Sequence, residues 1–152
     1  MTETDTQVAT RVLEHLLKGA EVSGLRFGTP QLLFDGVNRL PGEAYINLES
    51  HWLHFEQRPD QFPLQESEPP EMPRDEELEA LLRLRGRTIV NVEIMSPPHL
   101  VLTFDDDSVL YINGHDDMYE SWQAGQSRSD DDIWLVVACP GGGLAVWAPD
   151  GF

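Results

Sequence analysis

Three consecutive aspartates, Asp105 to Asp107, are the residues of the chain best suited by type to hold a metal ion. Carboxylate oxygens are the ligands that calcium prefers, but an EF-hand loop also needs glycine at its sixth position and glutamate at its twelfth. Counted from Asp105, those positions hold Leu110 and Asp116. The stretch is therefore more typical of a hairpin turn, where aspartate binds its own backbone. A looser calcium site formed by Asp105, Asp107 and Asp116 is the alternative.

The other residues with catalytic chemistry form no known motif. His51 and His54 lack the helix and the glutamate of a zinc-protease motif, and on a strand their rings would point to opposite faces. Cys139 ends an apolar stretch and has no nearby cation in the sequence to stabilise a thiolate. Residues 140–143 lack the Lys-Ser/Thr ending of a phosphate-binding loop. We therefore expect a protein that is not an enzyme and uses no cofactor, and a hydrolase whose site residues are scattered along the sequence is the alternative.

The net charge is the most unusual property of the composition. The chain has 27 Asp and Glu against 10 Lys and Arg, a net charge of −17. Residues 105–132 contain nine of the carboxylates and one arginine, Arg128. Such a field repels nucleic acids and anionic membranes and favours cations or basic proteins. Solubility alone also accounts for a high net charge, so the charge indicates the kind of partner without requiring one.

Aromatic residues beside the acidic stretch are candidate anchors for a protein partner. Tyr119 and Trp122 lie closest to the aspartates, and an exposed ring rimmed by carboxylates suits a basic protein. The leading hypothesis is therefore a non-enzymatic protein that binds a basic partner. The predicted partner-binding residues are Asp106, Asp107, Asp116, Asp117, Tyr119, Trp122, Asp130, Asp131 and Asp132.

The cellular compartment can also be predicted. A single cysteine excludes an internal disulfide and fits a reducing compartment. The N-terminal residues are polar and acidic, unlike a secretory signal, and no apolar run approaches the ~18 residues of a membrane span. We expect a cytoplasmic protein that binds neither membranes nor nucleic acids.

Two segments of the chain, residues 5–56 and 75–123, resemble each other. Each begins with an amphipathic helical stretch that ends at a glycine, Gly19 or Gly86, and continues as short apolar strands. The matched strand residues are Leu25 with Val92, Phe27 with Ile94, and Tyr45 with Tyr111. Common spacing in any two αβββ units is the alternative explanation. A proline-rich connector, residues 57–74, joins the two segments.

The succession of elements predicts the fold class. Residues 133–148 contain two apolar strands around a Pro-Gly-Gly-Gly turn, which is typical of a last hairpin. Together with the two αβββ repeats, this predicts an α+β fold with a mostly antiparallel sheet and two helices. The length suits one domain over residues 1–152.

The pattern in residues 100–122 also supports a family resemblance. An apolar strand, an Asp turn, a second strand and Tyr-Glu-x-Trp are followed by the Pro-Gly-Gly hairpin. This resembles uncharacterised small bacterial proteins, some of which are grouped with toxin-immunity proteins. The resemblance covers mainly residues 85–148. It implies a cytoplasmic, non-catalytic protein that neutralises a cognate toxin.

Overall fold

The computed structural model of the chain describes residues 4–35, 43–62, 74–126 and 133–152. These residues form two helices, α1 (Asp5–Leu17) and α2 (Arg74–Leu82). They also form ten strands: β1 (Glu21–Arg26), β2 (Gln31–Asp35), β3 (Ala44–Leu48), β4 (Trp52–Phe55), β5 (Ile89–Ile94), β6 (Leu100–Phe104), β7 (Val109–Ile112), β8 (Trp122–Gln126), β9 (Trp134–Ala138) and β10 (Leu144–Trp147).

The predicted α+β class is confirmed. All pairings between the described strands are antiparallel, and β9 pairs with β10 as the C-terminal hairpin predicted for residues 133–148. None of the helices in the described ranges is long and apolar enough to cross a membrane.

Helix α1 begins and ends where local chemistry satisfies its free backbone groups. The Thr4 hydroxyl accepts a hydrogen bond from the Gln7 N–H at 3.2 Å, and the Gln7 side chain accepts one from the Thr4 N–H at 2.9 Å. After the helix, Gly19 has a φ of 87°, a left-handed conformation that costs glycine little. The apolar stripe of α1 is buried in the core and consists of Ala9, Val12, Leu13, Leu16 and Leu17.

The strands form two sheets, and each repeat contributes to both. The six-stranded sheet has the order β1-β2-β3-β8-β9-β10, and the four-stranded sheet has the order β4-β7-β6-β5. The first three strands of each repeat are therefore neighbours in one sheet. The fourth strand, β4 or β8, pairs in the other sheet beside the third strand of the other repeat.

The strand registers of the two repeats also correspond. Val22 pairs with Phe34 in the first repeat, and Ile89 pairs with Phe104 in the second. In both repeats a register shift, typical of a β-bulge, follows that first pair. Beyond it, the β1–β2 and β5–β6 pairings resume with Leu25 opposite Leu32 and Val92 opposite Leu102.

A short antiparallel contact joins the segments that lead into β1 and β5. Gly19 donates a hydrogen bond to the Ile89 carbonyl at 2.7 Å, and Gly86 donates one to the Val22 carbonyl at 3.0 Å. Two further bonds of 2.9 Å run from Val22 to Arg87 and from Ile89 to Ala20. The four bonds form reciprocal pairs, which is the pattern expected around a local twofold axis.

Two of the sequence matches need correction at the level of single residues. Tyr45 and Tyr111 both lie on the faces turned away from the shared core, but strand register makes Tyr45 the equivalent of Val109 rather than of Tyr111. A side chain two residues along a strand lies on the same face of the sheet. The alternation of apolar residues in the sequence therefore cannot reveal a match that is displaced by two residues. Phe27 lies beyond the end of β1 and is 69% exposed, whereas Ile94 is 8% exposed in the core.

One core fills the space between the sheets and the helices. It contains the apolar stripe of α1, Leu81 of α2, Leu84 just after α2, and the inner faces of both sheets. A smaller cluster of Phe62, Val101, Val109 and Tyr111 covers the outer face of the four-stranded sheet. Phe62 belongs to the predicted connector, and residues 63–73 of that connector lie outside the described residues.

The contact between the two repeats predicts a specific sensitivity at Gly86. Its φ is 80°, so Gly86→Ala strains the backbone, although the nearest atom to the added methyl carbon would be a Glu21 side-chain oxygen at 3.9 Å. We expect a loss of about 1–2 kcal/mol in the free energy of unfolding, measured in urea. The control is Gly143→Ala, which meets nothing within 4 Å and should change stability by less than about 0.5 kcal/mol. Equal losses in both variants would contradict this assignment.

Candidate functional site

The Asp105–Asp107 stretch forms the hairpin turn between β6 and β7. The Asp106 carboxylate accepts hydrogen bonds from the Ser108 hydroxyl at 2.6 Å and the Ser108 N–H at 3.1 Å. These bonds hold the pKa of Asp106 below its ordinary value, and the bond from the Ser108 hydroxyl has the largest effect. Arg87 lies 3.7 Å from Asp105 and 3.8 Å from Asp106. Asp105 and Asp106 of the turn therefore have internal partners.

The three residues of the alternative calcium site do not come together. Asp105 and Asp107 precede β7, whereas Asp116 follows it, so the four residues of the strand separate them by roughly 13 Å. Over the described ranges, no group of three or more His, Cys, Asp or Glu residues is arranged to hold a metal ion.

Asp116 instead organises the loop between β7 and β8. Its carboxylate accepts hydrogen bonds from the backbone N–H groups of Met118 at 2.8 Å and Tyr119 at 2.9 Å. These bonds hold the pKa of Asp116 below its ordinary value, so the group remains ionised at neutral pH. The loop presents two large exposed side chains, Met118 at 75% and Tyr119 at 67%. Asp117 lies beside them, 3.3 Å from the His115 ring.

Trp122 does not fit the predicted role of an exposed anchor. It is 0% exposed, and its indole N–H donates to the Pro98 carbonyl at 2.9 Å in the protein interior. As the first residue of β8, it lies on the inner face of the six-stranded sheet and packs in the core. Sequence proximity to the aspartates could not reveal which face it takes. Of the remaining predicted residues, Asp130, Asp131 and Asp132 lie outside the described residues.

A buried histidine fixes the start of the same loop. His99 is 4% exposed, and its Nδ1 accepts a hydrogen bond from the Gly114 N–H at 2.9 Å. A Cβ on Gly114 would lie 1.8 Å from the Pro98 carbonyl oxygen, so only glycine allows this approach. Tyr111 packs against the His99 ring with centroids 5.2 Å apart. The loop that carries Asp116 is thus attached to the β5–β6 turn.

An open groove of about 730 Å³ lies beside this loop. We call it the acidic groove. Its walls come from the β1–β2 turn, the β3–β4 connection, α2, the β7–β8 loop and β8. It is lined by Gly28, Thr29, Pro30, Leu48, Glu49, Ser50, His51, Trp52, Glu77, Leu78, Asp116, Tyr119, Glu120 and Gln123.

The lining is strongly asymmetric in charge. It includes four carboxylates, Glu49, Glu77, Asp116 and Glu120, and no Lys or Arg among the described residues. The Gln123 side-chain amide donates to both Glu49 and Glu120, which holds these two carboxylates close together. The exposed Tyr119 ring and the apolar residues Trp52 and Leu78 complete the walls. The groove therefore combines negative charge with flat apolar surface.

The groove unites only part of the residues predicted from sequence. Asp116 and Tyr119 line it, whereas Asp106 lies at the other end of β7. Glu49 and Glu77 were missed because they come from the first repeat and from α2. No local signal marks either residue. Glu49 reaches the groove through strand pairing across more than 70 residues, and Glu77 through the contact of α2 with Trp52.

A small α+β fold with an acidic groove is thus the class of structure that the chain adopts. The chain belongs to DUF6188, a family of unknown function, whose profile matches residues 15–148. The match spans both repeats and the final hairpin, more than the resemblance over residues 85–148, and its description makes no connection with toxin immunity. No curated protein and no solved structure matches the chain.

The environment of His99 predicts a pH dependence of stability. The pKa of His99 is lowered from its usual 6.5, mainly by burial and to a smaller extent by the neighbouring His115. The folded state therefore binds this proton less readily than the unfolded state. The stabilisation should be complete above pH 6.5 and decline as the pH falls through the folded pKa, by at most about 1.4 kcal/mol per pH unit.

Urea unfolding between pH 8 and pH 4.5 measures this effect. In His99→Asn the side-chain oxygen can still accept the Gly114 N–H, but the side chain does not titrate. We expect a shallower fall in stability for this variant than for the wild type below pH 6.5. Equal slopes would exclude His99 as the source.

The positions of the two aromatic residues predict opposite effects of truncation. Trp122→Ala removes a buried ring and an internal hydrogen bond, which should cost about 3–5 kcal/mol in urea unfolding. Tyr119→Ala removes an exposed ring and should change stability by less than about 0.5 kcal/mol. A large loss from Tyr119→Ala would show that this ring supports the fold and is not free to contact a partner.

Proposed function

We propose that the chain is a non-enzymatic protein that binds a basic protein through the acidic groove and its rim. The observation that carries the proposal is the combination of four carboxylates, no lining Lys or Arg among the described residues, and an exposed aromatic ring. Opposite charge across an interface raises the association rate and favours the right partner. A flat exposed ring supplies the apolar contact that charge alone lacks.

The rim of the groove supports a protein partner of extended contact area. Met118 directly precedes the lining residue Tyr119, and Phe27, 69% exposed, directly precedes the lining residue Gly28. Large exposed apolar side chains around a polar cleft are typical of protein contact surfaces. The net charge of −17 extends the attraction to basic partners beyond the groove itself.

A toxin is one basic partner that fits this proposal. That idea comes from the resemblance to proteins grouped with toxin-immunity proteins, and the acidic groove supplies a surface suited to it. In this role the chain would cover the basic active surface of the toxin and perform no reaction of its own. The proposed compartment is the cytoplasm, as expected from the single cysteine.

Calcium binding is a weaker proposal. Asp105 and Asp107 are separated from Asp116 by β7, so a shared ion would require other ligands. Asp130, Asp131 and Asp132 could supply them, but they lie outside the described residues. Thermal unfolding with millimolar calcium or with chelator tests this function, since a bound ion stabilises the folded state by mass action. An unchanged midpoint would exclude it.

Binding to basic proteins encoded beside the gene tests the main proposal. Each is purified and titrated against the full chain by calorimetry at 50 and 300 mM salt. We expect one to bind, with weaker affinity at high salt. The double variant Glu49→Gln/Glu120→Gln should weaken that binding about 2- to 30-fold, because it removes two groove charges.

A matched variant controls for the general loss of charge. Glu43→Gln/Glu56→Gln removes two exposed carboxylates that do not line the groove, so its affinity should stay close to that of the wild type. Equal weakening by both double variants would indicate attraction by net charge alone. If no basic neighbour binds, or if binding ignores salt, the proposal is overturned.

A further inference from the structure

The two repeats differ at the turn between their first two strands, which in the first repeat forms one wall of the acidic groove. Four residues connect Arg26 to its strand partner Gln31, whereas seven connect the equivalent Glu93 to Val101. The connection in the second repeat is thus three residues longer: Ile94 and Leu100 form one more strand pair, and the turn itself, residues 95–99, is one residue longer than residues 27–30. Because the strands on either side correspond in register, the extra residues lengthen the far end of the β5–β6 hairpin.

In the second repeat, residues of the β5–β6 turn pack into the space beside the turn. His99, directly before β6, is buried and accepts the Gly114 N–H at 2.9 Å. The preceding residue, Pro98, accepts the indole N–H of Trp122 at 2.9 Å. A planar ring and a carbonyl therefore close the space between this turn, the end of β7 and the start of β8.

The first repeat has equivalent strands around this space but no imidazole ring within it. Strand register makes Ser50 the counterpart of Gly114 and Trp52 the counterpart of Trp122, and both line the acidic groove. The indole N–H of Trp52 donates instead to the Glu77 carbonyl on α2, at 3.1 Å. The short turn at Thr29 carries no side chain comparable to His99 into this space. The groove is therefore the open counterpart of a position that the second repeat fills with an imidazole.

We propose that the acidic groove accepts the guanidinium group of an arginine side chain from the basic partner, in the position equivalent to the His99 ring. The inference rests on the proposed function and names the group that enters the groove. A guanidinium is planar, as the imidazole is, and its fork of N–H donors suits two nearby carboxylates. Glu49 and Glu120, joined through Gln123, form such a pair. The Tyr119 ring at the rim can stack on the same cation.

Arginine is favoured over lysine by the geometry of the site. An ammonium group is a compact, strongly hydrated charge that gains little from a flat wall, whereas a guanidinium is weakly hydrated and stacks on aromatic faces. A metal ion is disfavoured because the groove carboxylates are not grouped as ligands within the described residues.

Three small probes distinguish these chemistries on the full chain. The N-acetyl amides of arginine, lysine and citrulline are titrated while backbone amide shifts are followed by NMR. We expect saturable shifts at residues 49–52 and at Tyr119 with arginine, at least about fivefold weaker binding of lysine, and no saturation with neutral citrulline. Glu49→Gln/Glu120→Gln should abolish the arginine response, and Glu43→Gln/Glu56→Gln should retain it.

Variants that fill the groove with a bulky side chain test whether the guanidinium group binds at this position. Thr29→Trp introduces a ring from the short turn while keeping every carboxylate, and it should abolish the arginine shifts. Leu78→Trp fills the groove from the α2 side and replaces the first variant if that variant fails to fold. Retained arginine binding in a folded groove-filled variant, or equal binding of lysine and arginine, would overturn the inference.

The partner titration separates this inference from the proposed function. If the partner still binds Thr29→Trp with wild-type affinity and salt dependence, the partner docks outside the filled groove and the arginine position is refuted. If no basic neighbour binds the wild type while arginine amide fills the groove, the proposed protein partner fails and the guanidinium site stands.

Discussion

The reciprocal backbone contact between residues 19–22 and 86–89 is the constraint on which the rest of the structure depends. Each segment follows a helix, turns through a glycine with positive φ and enters the first strand of its repeat. Because β1 and β5 are edge strands of different sheets, the four hydrogen bonds join the two sheets at their edges. They also satisfy backbone groups that an open edge would leave free to pair with another chain. The local twofold relation of the sheets follows from this junction.

The exchange of β4 and β8 makes the two repeats dependent on each other. Each repeat places three strands in its own sheet, but its fourth strand pairs with the other repeat. Trp52 and Trp122, which begin these exchanged strands, are both buried in the common core. A single repeat would therefore lose a strand and expose apolar surface that only the other repeat covers. This explains why a chain with two similar segments has one continuous core rather than two small ones.

Local features of the fold were accessible from sequence, and long-range features were not. The positive-φ turns at Gly19 and Gly86 and the aspartate turn after β6 depend on neighbouring residues, so composition and spacing predict them. The second helix itself ends earlier than predicted, at Leu82. The register of Tyr45 was misplaced by two residues because loop insertions between the repeats can be positioned in several ways with the same alternation. The acidic groove depends on β3 pairing with β8, which brings Glu49 to Gln123 and which no local pattern encodes. The burial of Trp122 has the same origin.

The departure from symmetry, rather than the symmetry itself, creates the candidate site. In the second repeat the β5–β6 turn closes the space beside the buried Trp122 with His99 and Pro98. The shorter β1–β2 turn leaves that space open, and the acidic side chains of α2 and of the β7–β8 loop surround it. Filling the space internally would bury more apolar surface and stabilise the fold. The chain instead keeps four carboxylates around an open groove, an arrangement that attracts cations.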